Sequence, residues 1–294
     1  MFDENLSNKT LFKAHTNAIN RIKQSPFTNG YVATASKDTT IKIWNPNTNW
    51  TLIKNYTEHL NEIYSLEWIN DDTLASGSSD TSIHIWSISK GETRIKIFAN
   101  DVPMSLKLLS NGMHMACGLA NGNINIYNTS DGVLISSLQG HDDGVNDLEL
   151  VSDGSLLASF SWDNSILIWN LTTRAQKFTL LGHTDAVFGL KRISSDILVS
   201  GSLDTKLIMW NTTSGNIVRT LFNHTSEIRW SLDLLNDGQT LVSGSKDQSL
   251  KLWDWKTGKC LKTVNTSLEI FSLSAINLAK SIEEEEGKLG IYFV

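Results

Sequence analysis

Two cysteines and three prolines are all that the 294-residue chain contains of either type. Cys117 and Cys260 lie far apart, so they read as separate buried thiols rather than a disulfide. No CxxC or HExxH pattern offers the spacing of a zinc site. With so little proline and no Gly/Ser-rich tract, no linker divides the chain. Long apolar runs are missing too. None approaches the roughly 18 residues of a membrane span, and MFDENLSNKT lacks the apolar segment of a secretory signal. The chain therefore reads as intracellular, cytoplasmic or nuclear and not secreted, without a membrane partner. Basic residues are in deficit: 25 Lys+Arg against 31 Asp+Glu give a net charge of -6, which leaves no cationic stripe for nucleic acid. No phosphate-binding GxxxxGK[ST] loop is present, and neither a cofactor nor a metal is expected.

Tryptophan, in contrast, is plentiful and periodic. The stretch Gly182 to Asn211 sets the pattern: a Gly-His pair, then three short runs of alternating or β-branched apolar residues split by Ser/Asp/Thr turns. Such runs read as consecutive antiparallel strands. The same unit recurs along the chain and ends each time on an aromatic: Trp44, Trp86, Tyr127, Trp169, Trp210, Trp253 and Tyr292. In five units a His precedes the aromatic by 27 to 29 positions: His15, His59, His141, His183 and His224. Six before the same Trp stands an Asp: Asp38, Asp80, Asp163, Asp204 and Asp247. Four before each Asp is a hydroxyl: Thr34, Ser76, Ser159, Ser200 and Ser243.

These offsets and the period resemble the WD40-repeat family. The resemblance covers residues 7–294 and implies one all-β domain over 1–294, a seven-bladed β-propeller. It also implies that each His, hydroxyl, Asp and Trp form a buried hydrogen-bonded chain. Five copies at one spacing mean architecture, so the His/Asp/Ser sets are not read as catalytic triads. Two units depart from the pattern. The third has Cys117, Asn121 and Tyr127 at the hydroxyl, Asp and Trp positions, and the seventh has Ile282, Glu286 and Tyr292. Both are expected to form blades without the buried chain. Residues 8–13 are expected to serve as the outer strand of the last blade and so close the ring, removing a free sheet edge.

His84 alternates with Ile83 and Ile85 and reads as a solvent-facing strand residue; His114 also lies outside the repeated position. No convergent pair of unexplained carboxylates points to an enzyme site in the central channel. The resemblance places partner contacts on the top face, at residues before each Asp and shortly after each His. Transferred to this chain, it singles out Trp162, Phe188, Tyr64, Met104, Leu203, Arg229 and Phe271, an unusually apolar rim with residue types common at binding hot spots. The run Glu283–Glu286 falls at the same rim and reads as a solvated turn.

The implied function is a non-catalytic scaffold or adaptor, a monomeric propeller within a larger complex, that binds a peptide or loop of a protein partner. An alternative comes from LVSGSKDQSLKLWDWK, Leu241 to Lys256, which looks like the box of cullin-4 ubiquitin-ligase substrate receptors. An enzyme with a channel-mouth site is the third reading.

Overall fold

A computed structural model describes residues 14–229, 231–235, 237–266, 269 and 270, and the backbone of Leu273–Asn277 and Leu289–Phe293. Four strands build the first blade: β1 (Ile19–Gln24), β2 (Val32–Ser36), β3 (Ile41–Asn45) and β4 (Thr51–Tyr56). Blade 2 follows with β5 (Ile63–Asn70), β6 (Thr73–Ser78), β7 (Ser82–Ser87) and β8 (Glu92–Phe98). Blade 3 has β9 (Pro103–Leu108), β10 (His114–Leu119), β11 (Ile124–Asn128) and β12 (Leu134–Leu138). Blade 4 comprises β13 (Val145–Val151), β14 (Leu156–Ser161), β15 (Ile166–Asn170) and β16 (Ala175–Leu180). Blade 5 comprises β17 (Val187–Arg192), β18 (Ile197–Ser202), β19 (Leu207–Asn211) and β20 (Ile217–Leu221). Blade 6 has β21 (Leu232–Leu234), β22 (Thr240–Ser245), β23 (Ser249–Asp254) and β24 (Lys259–Asn265).

Each blade is an antiparallel meander, strand after strand. The innermost strands pack side by side from β1 round to β21. The protein is thus an all-β propeller, with only two short 3-10 turns, at Pro46–Thr48 and Ser152–Gly154, among the described residues.

The expected seventh four-stranded blade is corrected. Among the described residues there are six four-stranded sheets and one two-stranded sheet, β25 (Leu273–Asn277) with β26 (Leu289–Phe293). In a full blade the strand carrying Ile282 would lie between these two. Instead β25 pairs directly with β26, Leu273 opposite Phe293 and Asn277 opposite Leu289. The last unit has neither the His, the hydroxyl nor the Asp that tie a middle strand into the other blades. β25 lies between β21 and β1. The expected closing strand, residues 8–13, lies outside the described residues, as do Ile282 and Glu283–Glu286.

Packing explains the strand composition. The hydrophobic clusters sit between blades: Ile166, Ile168 and Phe160 of blade 4 meet Val187, Leu198 and Trp210 of blade 5 in one of them. Both faces of a middle strand are therefore covered, and β6, β7 and β14 are buried at every position. Outer strands such as β8 alternate between exposed and covered positions because only one of their faces has a neighbour. Blades approach closely where a side chain is absent. A Cβ on Gly77 would lie 2.6 Å from Pro103, and one on Gly118 would lie 2.6 Å from Val145.

Candidate functional site, the top face of the propeller

The top face consists of the loops that carry each His and the hairpins that carry each Asp. In blade 5, the Trp210 indole donates to Ser200 Oγ at 2.8 Å, His183 Nε2 is 2.7 Å from the same oxygen, and His183 Nδ1 is 2.9 Å from Asp204 Oδ2. Asp204 then accepts the backbone N–H groups of Thr184 and Lys206 at 3.0 Å each. The same connections occur in four other blades. His59, Ser76, Asp80 and Trp86 make them in blade 2, and His141, Ser159, Asp163 and Trp169 in blade 4. His224, Ser243, Asp247 and Trp253 make them in blade 6, and His15, Thr34, Asp38 and Trp44 in blade 1.

Chemistry follows from burial. The four serine hydroxyls are 0% exposed, and each is already engaged by an indole and an imidazole, so no substrate carbonyl can reach them. Burial lowers the pKa of His15, His59 and His224, against the pull of their Asp partners. Burial alone would raise Asp204, but His183 and the backbone donors of Thr184 and Lys206 bring it down to about 2. For His15, His59 and His224 a neutral imidazole donating from Nδ1 to an ionised carboxylate follows.

Blade 3 replaces this chain with Cys117, buried and driven upward in pKa by burial, and with an Asn125 amide donating to Tyr127 Oη at 3.0 Å. Asn121 caps its own turn through the N–H of Asn123.

The rim residues do not share one environment. Trp162 is 42% exposed in the blade 4 hairpin, whose backbone is held by the Trp162 amide N–H donating to Gly144 O. Phe188 is buried rather than exposed, a correction to its place on the solvent rim. Its ring lies 6.5 Å from Trp162 and carries the Arg229 guanidinium 5.3 Å from its centroid. Arg229 is also gripped by Glu227 through two hydrogen bonds. Tyr64 donates to Glu62, while Met104 and Leu203 are half-buried. The Phe271 side chain lies outside the described residues. The structure thus brings Trp162, Phe188 and Arg229 together across blades 4, 5 and 6, with Leu203 in the neighbouring hairpin.

Two features escaped the sequence reading. The innermost strands carry alternating charges, paired as Lys23 with Glu67, Lys107 with Glu149 at 2.9 Å, and Lys191 with Asp233 at 2.6 Å. Arg21 of β1 reaches Asp147 of β13 at 3.5 Å. Burial opposes ionisation of Lys107 and Glu149, but their mutual attraction outweighs it and keeps both charged. Carboxylates do converge here, each with a cation beside it. The signal was available in the eighth residue after the His, where Lys23, Glu67, Glu149 and Lys191 stand.

The second feature corrects His84. It is 1% exposed, stacks on His59 with centroids 4.1 Å apart, and neither ring nitrogen has a hydrogen-bond partner. Alternation implies a wet face only in a sheet with one covered face, and β7 has two. His84's pKa falls to about 4, first through burial and then through His59 and Lys96.

Comparison with known proteins places the chain. The family model "WD domain, G-beta repeat" matches residues 6–45, 50–87, 132–170, 174–211 and 215–254, well over half of the chain. The chain belongs to the WD40-repeat family. The unmatched stretches include the third and seventh units, those without the His-hydroxyl-Asp set. A 61-residue stretch is 44% identical to transcription factor unc-37 of Caenorhabditis elegans and covers 21% of this chain and 10% of that protein. Another 76 residues are 38% identical to WD repeat and SOCS box-containing protein 1 of Takifugu rubripes, over 25% of this chain and 18% of that one. A third stretch, of 70 residues, is 40% identical to the intraflagellar transport protein 122 homolog of Mus musculus, covering 24% and 6%. The similarity thus spans less than a fifth of each relative. WD40 propellers generally mediate protein–protein interactions and are generally non-catalytic scaffolds. Among the described residues no helix is long and apolar enough to cross a membrane, and no cluster of three His, Cys, Asp or Glu is placed to hold a metal ion.

His84 supplies a test. A folded-state pKa below the ordinary 6.5 means that stability is complete above pH 6.5 and declines as pH falls toward 4. At pH 5 this one group costs about 2 kcal/mol. His84→Leu, which introduces the residue type of Leu167 at the matching position of blade 4, removes that component. It also adds about 1 kcal/mol at neutral pH, because two orphaned nitrogens disappear. Urea unfolding of both proteins at pH 7.5 and 5 measures this. Parallel pH dependence in the two would contradict it.

Proposed function

We propose that this chain is a non-catalytic interaction scaffold that holds a peptide or loop of a protein partner against the top face, over blades 4 to 6. The observation that carries this reading is Trp162. A large indole is left 42% exposed in a hairpin turn while its ring backs onto Phe188, with Arg229 beyond. Aromatic and arginine anchors over a packed base are the usual composition of a binding hot spot. Phe188 acts as the base beneath Trp162, Leu203 and Arg229 flank it, and Tyr64, Met104 and Phe271 belong to the more distant rim. The chain acts as a single-domain monomer within a larger assembly, in the cytoplasm or nucleus.

The ligase-receptor alternative finds less support. Trp255 donates its indole N–H to Gly238 O at 3.1 Å, and Lys256 lies over its ring, so both are engaged within the chain.

We further propose that residues 8–13 add an outer strand to the sheet of β25 and β26. Ala14, which follows them directly, packs with Val32 and Trp44 of blade 1, while β25 lies next to β1.

Two measurements test these readings. In affinity capture from cells, Trp162→Ala is expected to lose a discrete partner, with binding weakened by roughly ten- to a hundredfold. Val133→Ala, at an exposed site on the opposite face, retains it. Retention of the full captured set by a folded Trp162→Ala protein would show that the working surface is elsewhere. Deletion of residues 1–13 is expected to lower the thermal midpoint by about 5 °C. An unchanged midpoint would rule out the closing strand.

A further inference from the structure

A cleft of about 220 Å³ opens between blades 3 and 4 on the face opposite Trp162. Its walls carry Ser110, Asn111, His114, Ser155, Thr172 and Arg174 over an apolar floor that includes Leu109 and Ile126. No carboxylate lines it, in a chain whose net charge is -6. Asp153, next to the lining Gly154, is exposed and does not contribute.

The polar groups present donors. Asn111 Oδ1 accepts the backbone N–H groups of Met113 and His114 at 3.0 Å each, which fixes the amide so that Nδ2 donates to His114 Nδ1 at 2.9 Å. Nδ1 is therefore the acceptor and the ring proton sits on Nε2, which has no partner among the described residues. Among the described residues Arg174 makes one long hydrogen bond, Nη1 to Ile135 O at 3.4 Å, which leaves its other guanidinium donors without a partner there. Ser110 donates to Gly154 O at 3.1 Å, joining the two blades at the cleft.

The backbone gives an independent indication. Five residues after its closing aromatic, each blade turns through a left-handed residue. Glycine occupies that position in blades 2, 3, 5 and 6 as Gly91, Gly132, Gly215 and Gly258, and Asn49 occupies it in blade 1. Blade 4 has Arg174 there, at φ 57°. An arginine in this conformation is strained where glycine is not, and strain retained at one copy of a repeated turn points to a role for the side chain.

We propose that this cleft binds a phosphate group between the Arg174 guanidinium and His114 Nε2–H. The volume is several times the ~30 Å³ that a single water occupies, so the anion can enter on a short stem, such as a phosphorylated side chain. A guanidinium fork with a further N–H donor and no competing carboxylate is the donor set that such groups require. The proposal is independent of the top-face reading, because the two sites are on opposite faces.

The experiment is a titration of the isotope-labelled chain with inorganic phosphate, O-phosphoserine and serine, read at the His114 ring nitrogens and the Arg174 Nε–H. A saturable shift is expected with phosphate and with phosphoserine, and none with serine. In Arg174→Gly both are expected to weaken by about tenfold or more. That variant restores the residue used by four sister turns, so its thermal midpoint stays level or rises and misfolding cannot explain the loss. Tighter binding of phosphoserine than of phosphate would identify the anion as one borne on a side chain; equal binding would identify the bare ion. No saturable shift, a shift with serine, or undiminished affinity in Arg174→Gly would each overturn the proposal.

Discussion

One directional hydrogen-bonded chain fixes this fold. An indole N–H on the third strand of a blade donates to a hydroxyl on the second. The hydroxyl donates to the Nε2 of a histidine in the loop entering the blade, and the Nδ1–H of that ring donates to an aspartate in the hairpin. The aspartate takes up two backbone N–H groups, one from each loop, as Asp204 does with Thr184 and Lys206. Removal of any one leaves its neighbour with a buried hydrogen bond unmade, at a cost of about 1–3 kcal/mol. Blade 3 shows the other stable solution. It abandons the set together, with Cys117 at the hydroxyl position and Asn125 paired with Tyr127.

The repetition determines where function can reside. Five copies of the His, hydroxyl and Asp account for the groups that would otherwise suggest hydrolytic chemistry, and the alternating lysines and carboxylates of the inner strands neutralise one another. Specific function then falls to positions where one blade differs from its sisters. Trp162 stands in a hairpin where the equivalent residues are Lys37, Ser79, Ala120, Leu203 and Lys246. Arg174 stands where others have glycine or asparagine. His84 stands where blades 4 and 5 have Leu167 and Ile208, and it is the copy that the structure satisfies least.

The strands, the units and the partners of each His were legible because they depend on local alternation and fixed offsets. What failed was inference from one blade in isolation. Alternation with Ile83 and Ile85 points His84 to solvent only where a strand has one wet face, and a propeller covers both faces of its middle strands. Phe188 was placed on the rim by position, and its ring turned beneath Trp162. The last unit kept alternation without the tying residues and forms two strands among the described residues, where four were expected. The inner-strand charges are visible once the units are aligned on their histidines, since they pair across blades rather than along the chain.

The most direct measurement of the central claim is the protonation and tautomer of the network histidines by nitrogen-detected magnetic resonance. The hydrogen-bonded chain predicts the Nδ1–H tautomer at each of the five, with His15, His59 and His224 keeping their neutral form to lower pH than a free imidazole does. Protonation of His15, His59 or His224 at a pH above that of a free imidazole, or the proton of a neutral ring found on Nε2, would contradict the hydrogen-bonded chain on which the rest depends.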